Sequence, residues 1–159
     1  MPFTLYLVGY MSGEKLQECT EWRKKIREYF DLNPKWHGHM CFLDPFNGQE
    51  IATIDKEGLH SSIPDQALVH RDFNCVKSAD LIIANLDTFG AERPMVGSLY
   101  ELAWAWLDKK PVIIITSKDY YKYHPFIKNT ASFIFENVDQ VLESKAINYF
   151  YQGKHSAAY

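Results

Sequence analysis

The chain has 159 residues, of which 47% are hydrophobic and 23% charged, the balance of a soluble globular domain rather than a disordered, fibrous or membrane protein. Its net charge of −3, with scattered basic residues, argues against nucleic acid or an anionic membrane surface as a partner. The three cysteines form no Cys-x-x-Cys pair, which argues against a disulfide framework and favours a reducing, cytoplasmic location. We therefore expect one domain, without a membrane span or an export signal.

Five short apolar runs separated by helical patterns predict a parallel sheet. The predicted strands are residues 4–8, 40–43, 81–85, 112–116 and 132–135. The predicted helices are residues 14–30, 65–78, 98–109 and 138–149. This alternation indicates the α/β class: a single-domain, doubly wound, flavodoxin-like or Rossmann-like sheet of five parallel strands with helices on both faces.

Ligands of open parallel sheets bind at the carboxyl ends of the strands, so functional residues are expected just after each run. Gly9 begins a turn after the first strand, and the free backbone amides of such a turn suit an anionic or polar ligand; a plain tight turn is an equally good interpretation. The dinucleotide and P-loop fingerprints are absent.

Asp87 follows the third strand, where turn formation is the simpler alternative to ligand binding. The segment from Pro45 to Pro64 is long for a connection and is predicted to be a binding loop.

Glu101 is the one charged residue in an otherwise apolar helical stretch, residues 99–107, which we expect to be buried nearly all round. A carboxylate is costly to bury there unless it is paired or used, and the helix dipole favours its ionised form in the first turn. Such a carboxylate is a competent nucleophile or base. The alternative is a capping box over residues 98–101, in which the glutamate bonds back to the helix start.

Asp72 is predicted to face inward, because the residues three and four positions away on either side are all apolar: Leu68, Val69, Cys75 and Val76. The alternative is a buried polar anchor bonded to backbone amides. Two inward carboxylates on different helices suit glycosidic chemistry, in which one attacks the anomeric carbon and the other protonates the leaving group. A magnesium site is the second interpretation. The six histidines include no pair at zinc-ligand spacing on a helix.

Several segments resemble the nucleoside 2-deoxyribosyltransferase family in their order and spacing. They are LYLVG at 5–9, DFNCVKSADLI at 72–82, GSLYELAWA at 97–105, KPV at 110–112 and the aromatic C-terminus. The resemblance implies that Glu101 attacks C1′ of a nucleoside and forms a covalent glycosyl-enzyme, with net retention. It implies that Asp72 protonates the departing base and deprotonates the incoming one, and that Tyr6 hydrogen-bonds Glu101. No cofactor or metal is implied.

The reaction implied by this resemblance is the exchange of purine or pyrimidine bases between 2′-deoxynucleosides, with deoxynucleosides and free bases as small-molecule partners. The near alternative is an N-glycoside hydrolase of nucleosides, deoxynucleosides or their 5′-monophosphates, in which water resolves the intermediate. From a different class, the same fold would serve as a nucleotide-sensing module whose acidic residues only anchor a ligand.

Met95, Gly97 and Asn47 are further candidates for substrate contact, and Met95 is a departure from the family's pattern. Met95 stands six residues before Glu101, where the family often has an aspartate for the 5′-hydroxyl and related monophosphate hydrolases have a serine for the phosphate. Gly97 begins the segment that contains Glu101. Asn47, with Asp44 and Gln49, carries a group able to read a base edge, although such loop side chains are usually solvated.

Members of the family form oligomers in which the C-terminus of one subunit helps to close the site of its neighbour. The resemblance therefore implies a homo-oligomer, from dimer to hexamer, with a tail of about residues 150–159 against the neighbouring subunit. Tyr159, with its terminal carboxylate, and His124 would both reach a neighbouring site. The aromatic content of 15% is consistent with stacking or subunit contacts, and equally with a bulky core.

Overall fold

The chain folds around a parallel sheet of five strands. The computed structural model describes residues 1–12, 15–45, 53–55, 57–60 and 62–155. The strands of these residues are, in chain order, β1 (Phe3–Gly9), β2 (Met40–Leu43), β3 (Thr53–Asp55), β4 (Gly58–His60), β5 (Leu81–Asn85), β6 (Val112–Ile115) and β7 (Phe133–Phe135). The main sheet has the order β2-β1-β5-β6-β7, while β3 and β4 form a separate antiparallel pair.

Helices of the described residues follow the strands of the main sheet. They are α1 (Leu16–Asp31), α2 (Asp65–Ser78), α3 (Val96–Leu107), α4 (Asp119–Lys122), α5 (Pro125–Thr130), α6 (Val138–Ser144) and α7 (Ala146–His155), with one turn of 3-10 helix at Pro34–Trp36. In the part of the chain that the structure describes, no helix combines the length and the apolar character needed to cross a membrane.

Each face of the sheet packs against its own layer of helices because successive strand side chains point to opposite sides. On one face, Tyr6 and Val8 of β1 pack with α2, α3 and α5. On the other face, Leu5 and Leu7 pack with α1, α6 and α7. The predicted fold class, a five-stranded parallel sheet with helices on both faces, is therefore confirmed.

The strand order places the topological switch point between β1 and β5. Connections from β1 lead to β2 on one side and from β5 to β6 and β7 on the other, which leaves a crevice at the carboxyl ends of the central strands. Gly9 pairs with Asn85 at this edge, so the strands end at the same level. The site described below lies at this edge.

The helix α3 is not buried all round, so that prediction was wrong. Its Glu101 and Leu102 are buried, but Tyr100, Trp106 and Leu107 are 61%, 59% and 71% exposed. The physical reason is that α3 packs on one side of a layered sheet, and one face of a helix suffices for that contact. Its apolar composition therefore leaves an apolar face uncovered in the single chain.

The C-terminal region also differs from the predicted single helix of residues 138–149. The chain breaks at Lys145, which has a left-handed backbone conformation with φ 58°, and this residue separates α6 from α7. Two short helices, α4 and α5, connect β6 to β7, and each is too short for a periodic apolar pattern to be recognised. The segment predicted as a binding loop contains the β3–β4 pair among its described residues.

Candidate active site

A cavity of about 610 Å³ opens at the carboxyl edge of the sheet, bordered by the end of β1, by α2 and by the first turns of α3. It brings together the three residues that the sequence singled out for catalysis. Tyr6 comes from β1, Asp72 from α2 and Glu101 from α3, and all three line the cavity. The convergence of three separate elements explains how residues distant in sequence share one site.

Glu101 is held by a buried hydrogen bond. The hydroxyl of Tyr6, which is 1% exposed, donates to Oε1 of Glu101, which is 8% exposed. The capping-box interpretation of residues 98–101 is wrong, because α3 begins two residues earlier, at Val96, with Met95 as its cap residue. The carboxyl group of Glu101 therefore bonds to the sheet rather than to the start of its own helix.

Asp72 lines the cavity with a side chain that is 23% exposed. Nε of Arg71 donates to its Oδ1 at 2.9 Å, and Nη2 of Arg71 lies 2.8 Å from the same oxygen. A charged side chain holds this carboxylate, so the alternative of a polar anchor bonded to backbone amides does not describe it. Arg71 was not predicted, because a polar residue on an amphipathic helix gives no sign of its partner.

The environment of the carboxyl pair favours retention of a proton. Burial, followed by the negative charge of Asp72, raises the pKa of Glu101 to about 8, against the opposing effects of the Tyr6 hydrogen bond and of Arg23 and Arg71. Burial also raises the pKa of Asp72, which Arg71 and the Tyr6 hydroxyl counteract. Because neighbouring carboxyls titrate as a unit, the pair holds one proton between its two ionisations.

The other end of the cavity is built from the start of α3 and the loop before it. Three residues that the sequence suggested for substrate contact line the cavity: Gly9, Gly97 and Met95, which is 3% exposed. Ser98 lines it too and is 6% exposed. The first amides of a helix lack partners within the helix, so this end presents hydrogen-bond donors.

Arg93 brings a positive charge to the same end of the cavity. Its Nη2 donates to the carbonyl oxygen of Met11 at 2.6 Å, and its Nε donates to the hydroxyl of Tyr10 at 3.3 Å. Its guanidinium also lies 4.8 Å from the centre of the Tyr10 ring. Arg93 was not predicted from the sequence, because a single arginine in a loop is most often solvated.

Two predicted binding residues lie elsewhere. Oδ1 of Asp87 accepts a hydrogen bond from the backbone amide of Phe89 at 2.8 Å, the turn arrangement that was the simpler alternative. His124 precedes α5, with its ring 5.7 Å from that of Tyr120 and 6.0 Å from that of Phe126. Neither residue lines the cavity.

Three further residues discussed above, Asn47, Gln49 and Tyr159, lie outside the described residues. Asp44 is described, and its side chain is 1% exposed, with Oδ1 3.5 Å from Nε of Arg23. Across the described ranges, no three His, Cys, Asp or Glu side chains are grouped as ligands of a metal ion.

No protein-family model matches this chain, and no curated protein matches it in sequence. Solved structures do resemble it. A conserved protein from Enterococcus faecalis V583 has a TM-score of 0.62 at 16% identity, over 90% of this chain and 96% of that one. A CMP N-glycosidase from Clostridium botulinum has a TM-score of 0.55 at 14% identity, over 91% and 98% of the two chains. A 2-deoxyribosyltransferase from Leishmania mexicana has a TM-score of 0.54 at 15% identity, over 95% and 98%.

These neighbours match the present chain over nearly its whole length and nearly the whole of their own. At such low sequence identity, the likeness is one of fold. The chain therefore has the nucleoside 2-deoxyribosyltransferase-like fold.

Proposed function

We propose that the protein is an enzyme acting on nucleosides, a nucleoside 2-deoxyribosyltransferase that exchanges purine or pyrimidine bases between 2′-deoxynucleosides. The observation that carries the proposal is the buried Glu101, hydrogen-bonded by Tyr6 and facing Asp72 across one cavity. A carboxyl pair on separate elements, with a proton between them, is the minimum requirement for retaining glycosidic chemistry. The similarity in fold to a 2-deoxyribosyltransferase supports the same reading.

The reactive form of the pair is the one in which its single proton lies on Asp72 and Glu101 is ionised. In the first half-reaction, an Oε of this ionised Glu101 attacks C1′ of the deoxynucleoside. A C–O bond forms as the glycosidic C–N bond breaks, and the bonding electrons leave with the base. Asp72 gives its proton to the nitrogen of the departing base. The Tyr6 hydroxyl, which hydrogen-bonds the glutamate, keeps the carboxylate in one orientation for in-line attack.

The second half-reaction is the reverse with a different base. Asp72, now ionised, removes a proton from the incoming base, whose nitrogen attacks C1′ and displaces Glu101. Two inversions at C1′ give net retention, and each group returns to its starting protonation state. Every step uses side chains of the cavity, so the mechanism calls for no cofactor.

A second candidate function is the hydrolysis of nucleoside 5′-monophosphates, and a specific observation favours it. Arg93 supplies a cation, and Ser98 and the first amides of α3 supply donors, in the wall of the same cavity. These groups suit a phosphate. Met95 offers no carboxylate to a 5′-hydroxyl, and one structural neighbour is a CMP N-glycosidase.

To distinguish these functions, the purified protein is incubated with deoxyinosine, deoxyadenosine, thymidine and deoxycytidine, each with and without free adenine or cytosine, and with CMP and dAMP. Products are separated by chromatography. We expect a new deoxynucleoside only when an acceptor base is present. Glu101→Gln, which keeps the shape of the side chain but removes the nucleophile, should lower kcat/KM by about 10³-fold or more.

The matched control is Glu92→Gln, the same substitution at an exposed glutamate in the loop before α3, which should retain the activity of the wild type. Release of free base from CMP or dAMP, without an acceptor, would assign the hydrolase instead. Turnover that survives Glu101→Gln at the level of the control would contradict both functions.

The pH dependence of the reaction follows from the carboxyl pair. At a pH below the first ionisation of the pair, Glu101 is neutral and cannot attack. At a pH above the second ionisation of the pair, near the Glu101 pKa of about 8, no proton remains for the leaving base. We therefore expect a bell-shaped profile of kcat/KM against pH, with its alkaline limb near pH 8. In Asp72→Asn, the residual activity should no longer fall above that pH. A wild-type rate that keeps rising through the alkaline range would contradict the shared proton.

We also propose that the protein works as a homo-oligomer, from dimer to hexamer, in which the tail of about residues 150–159 and His124 contact a neighbouring subunit. The uncovered apolar face of α3, with Tyr100, Trp106 and Leu107, supports this proposal. Tyr100 also lines the cavity, so a subunit docked on this face would form a wall of the site.

The free cysteines agree with a cytoplasmic location.

The double variant Trp106→Glu with Leu107→Glu tests this interface, because it places two charges on the apolar face of α3 without touching the cavity. Sedimentation velocity should show an oligomer for the wild type and a smaller species for the variant. Gln17→Glu with Leu32→Glu, at exposed positions of α1 and its cap on the opposite helix layer, adds the same two negative charges and should leave the oligomer intact. A monomeric wild type would contradict the proposal.

A further inference from the structure

A buried arginine lies behind the cavity rather than in it. Arg23, on α1, is 0% exposed. Its Nη1 donates to the carbonyl oxygen of Cys19, and its Nη2 donates to that of Gly9 at 3.2 Å. Its Nε lies 3.5 Å from Oδ1 of Asp44, a carboxylate whose side chain is 1% exposed. One guanidinium group thus contacts backbone and side-chain atoms from three different segments.

Two of these contacts hold the strand ends that border the site. Gly9 is the last residue of β1 and lines the large cavity, while Asp44 follows β2 directly. Asp44 lines a second cavity of about 190 Å³, which shares Tyr6 and Asp72 with the large one. Arg23 therefore links the ends of two neighbouring strands, β1 and β2, next to the cavities that Tyr6 and Asp72 line.

The packing around Gly9 leaves no room for a side chain at this position. A Cβ atom at Gly9 would lie 2.9 Å from Cζ2 of Trp22, 3.3 Å from Nη2 of Arg23 and 3.2 Å from the carbonyl oxygen of Asn85. The guanidinium of Arg23 also lies 4.6 Å from the centre of the Trp22 ring. The glycine is required at this position because the side chains of α1 press directly against the backbone of β1.

Stability alone is a poor reason for such a pair. The cost of removing both charges from water often exceeds their mutual attraction, and apolar residues of similar volume stabilise a fold equally well. A buried ion pair is therefore best explained by what its geometry and charge do for a neighbouring group. Here the neighbouring groups are the two carboxyls of the candidate active site.

We propose that Arg23 is a positioning residue for the reaction at Glu101: it fixes the ends of β1 and β2 around the substrate and supplies a buried positive charge that offsets the carboxyl pair. The inference rests on the function proposed above for the same cavity. It adds a residue from α1, an element that contributes no side chain to the lining of that cavity.

The electrostatic part of the proposal depends on the ionisable groups that act on Glu101 or on its neighbour Cys75. These groups come from three elements: Tyr6 from β1, Arg23 from α1, and Arg71, Asp72 and Cys75 from α2. Asp72 raises the pKa of Glu101, while Tyr6, Arg23 and Arg71 lower it. Loss of Arg23 should therefore raise the pKa of Glu101 further and lower the fraction of ionised Glu101 at neutral pH.

The test uses the double variant Arg23→Met with Asp44→Leu, because Arg23→Met alone would remove the partner of a buried carboxylate and endanger the fold. Arg27→Met is the matched control. Arg27 lies on the same helix and 3.7 Å from Oδ2 of the same Asp44, but its side chain is 28% exposed and does not line the cavity. Thermal unfolding establishes that all three proteins are folded.

Two measurements follow. The first is the titration of the Glu101 carboxyl carbon by NMR of ¹³C-labelled protein, with the signal assigned by its loss in Glu101→Gln; this measurement needs no turnover. The second is the profile of kcat and KM against pH with the best substrate. For the double variant, we expect the Glu101 titration at higher pH than in the wild type. We also expect kcat to be lower by about tenfold to a hundredfold, with little change in KM.

The control Arg27→Met should match the wild type in both measurements. A folded double variant with the wild-type Glu101 titration and the wild-type kcat would overturn the inference and leave the proposed function standing. If the wild type itself turns over no nucleoside or nucleotide, the proposed function fails. The NMR titration then still decides whether Arg23 sets the ionisation of Glu101.

Discussion

The hydrogen bond from Tyr6 to Glu101 is the interaction on which the site depends, because it joins the sheet to the helix that carries the carboxyl group. Burying a carboxyl group is costly without a partner, and here the central strand supplies one. The bond requires that β1 turn the side chain of Tyr6 toward the face that packs against α2 and α3. It also requires that α3 carry residue 101 within hydrogen-bonding distance of the Tyr6 hydroxyl. The geometry of the site thus depends on the face of β1 to which the Tyr6 side chain points and on the position of Glu101 along α3.

Two arginines lie near the carboxyl pair. The carboxyl pair lies in the cavity, Arg71 holds Asp72 from the same helix, and Arg23 lies behind the ends of β1 and β2. Each arginine opposes the rise in pKa that burial imposes on Glu101. An acid that is too weak to ionise cannot attack, and one that ionises too readily leaves no proton for the leaving group. The two cations therefore limit the effect of burial, which still raises the pKa of Glu101 to about 8, so that the pair keeps a proton near neutral pH.

The sequence predicted the sheet and both carboxylates because each rests on a local pattern. Buried parallel strands are short apolar runs, and Glu101 and Asp72 stand out as charges among apolar neighbours. The roles of Arg23, Arg71 and Arg93 were not predictable, since each depends on a partner that only the folded chain brings near. The exposed face of α3 was missed for a related reason. Composition shows that a helix is apolar, but it does not show whether the chain itself or another subunit covers it.

A nucleophilic Glu101 would form a covalent bond to the sugar during turnover, and mass spectrometry of a trapped intermediate detects that bond. A 2-deoxy-2-fluoroarabinosyl nucleoside is a suitable probe, because fluorine beside C1′ destabilises the oxocarbenium-like transition state and slows release of the sugar. We expect an intact-protein mass increased by one fluorinated pentosyl group, located at Glu101 by peptide mapping and absent from Glu101→Gln. An adduct on another residue, or release of base from the probe with no adduct at any time, would contradict it.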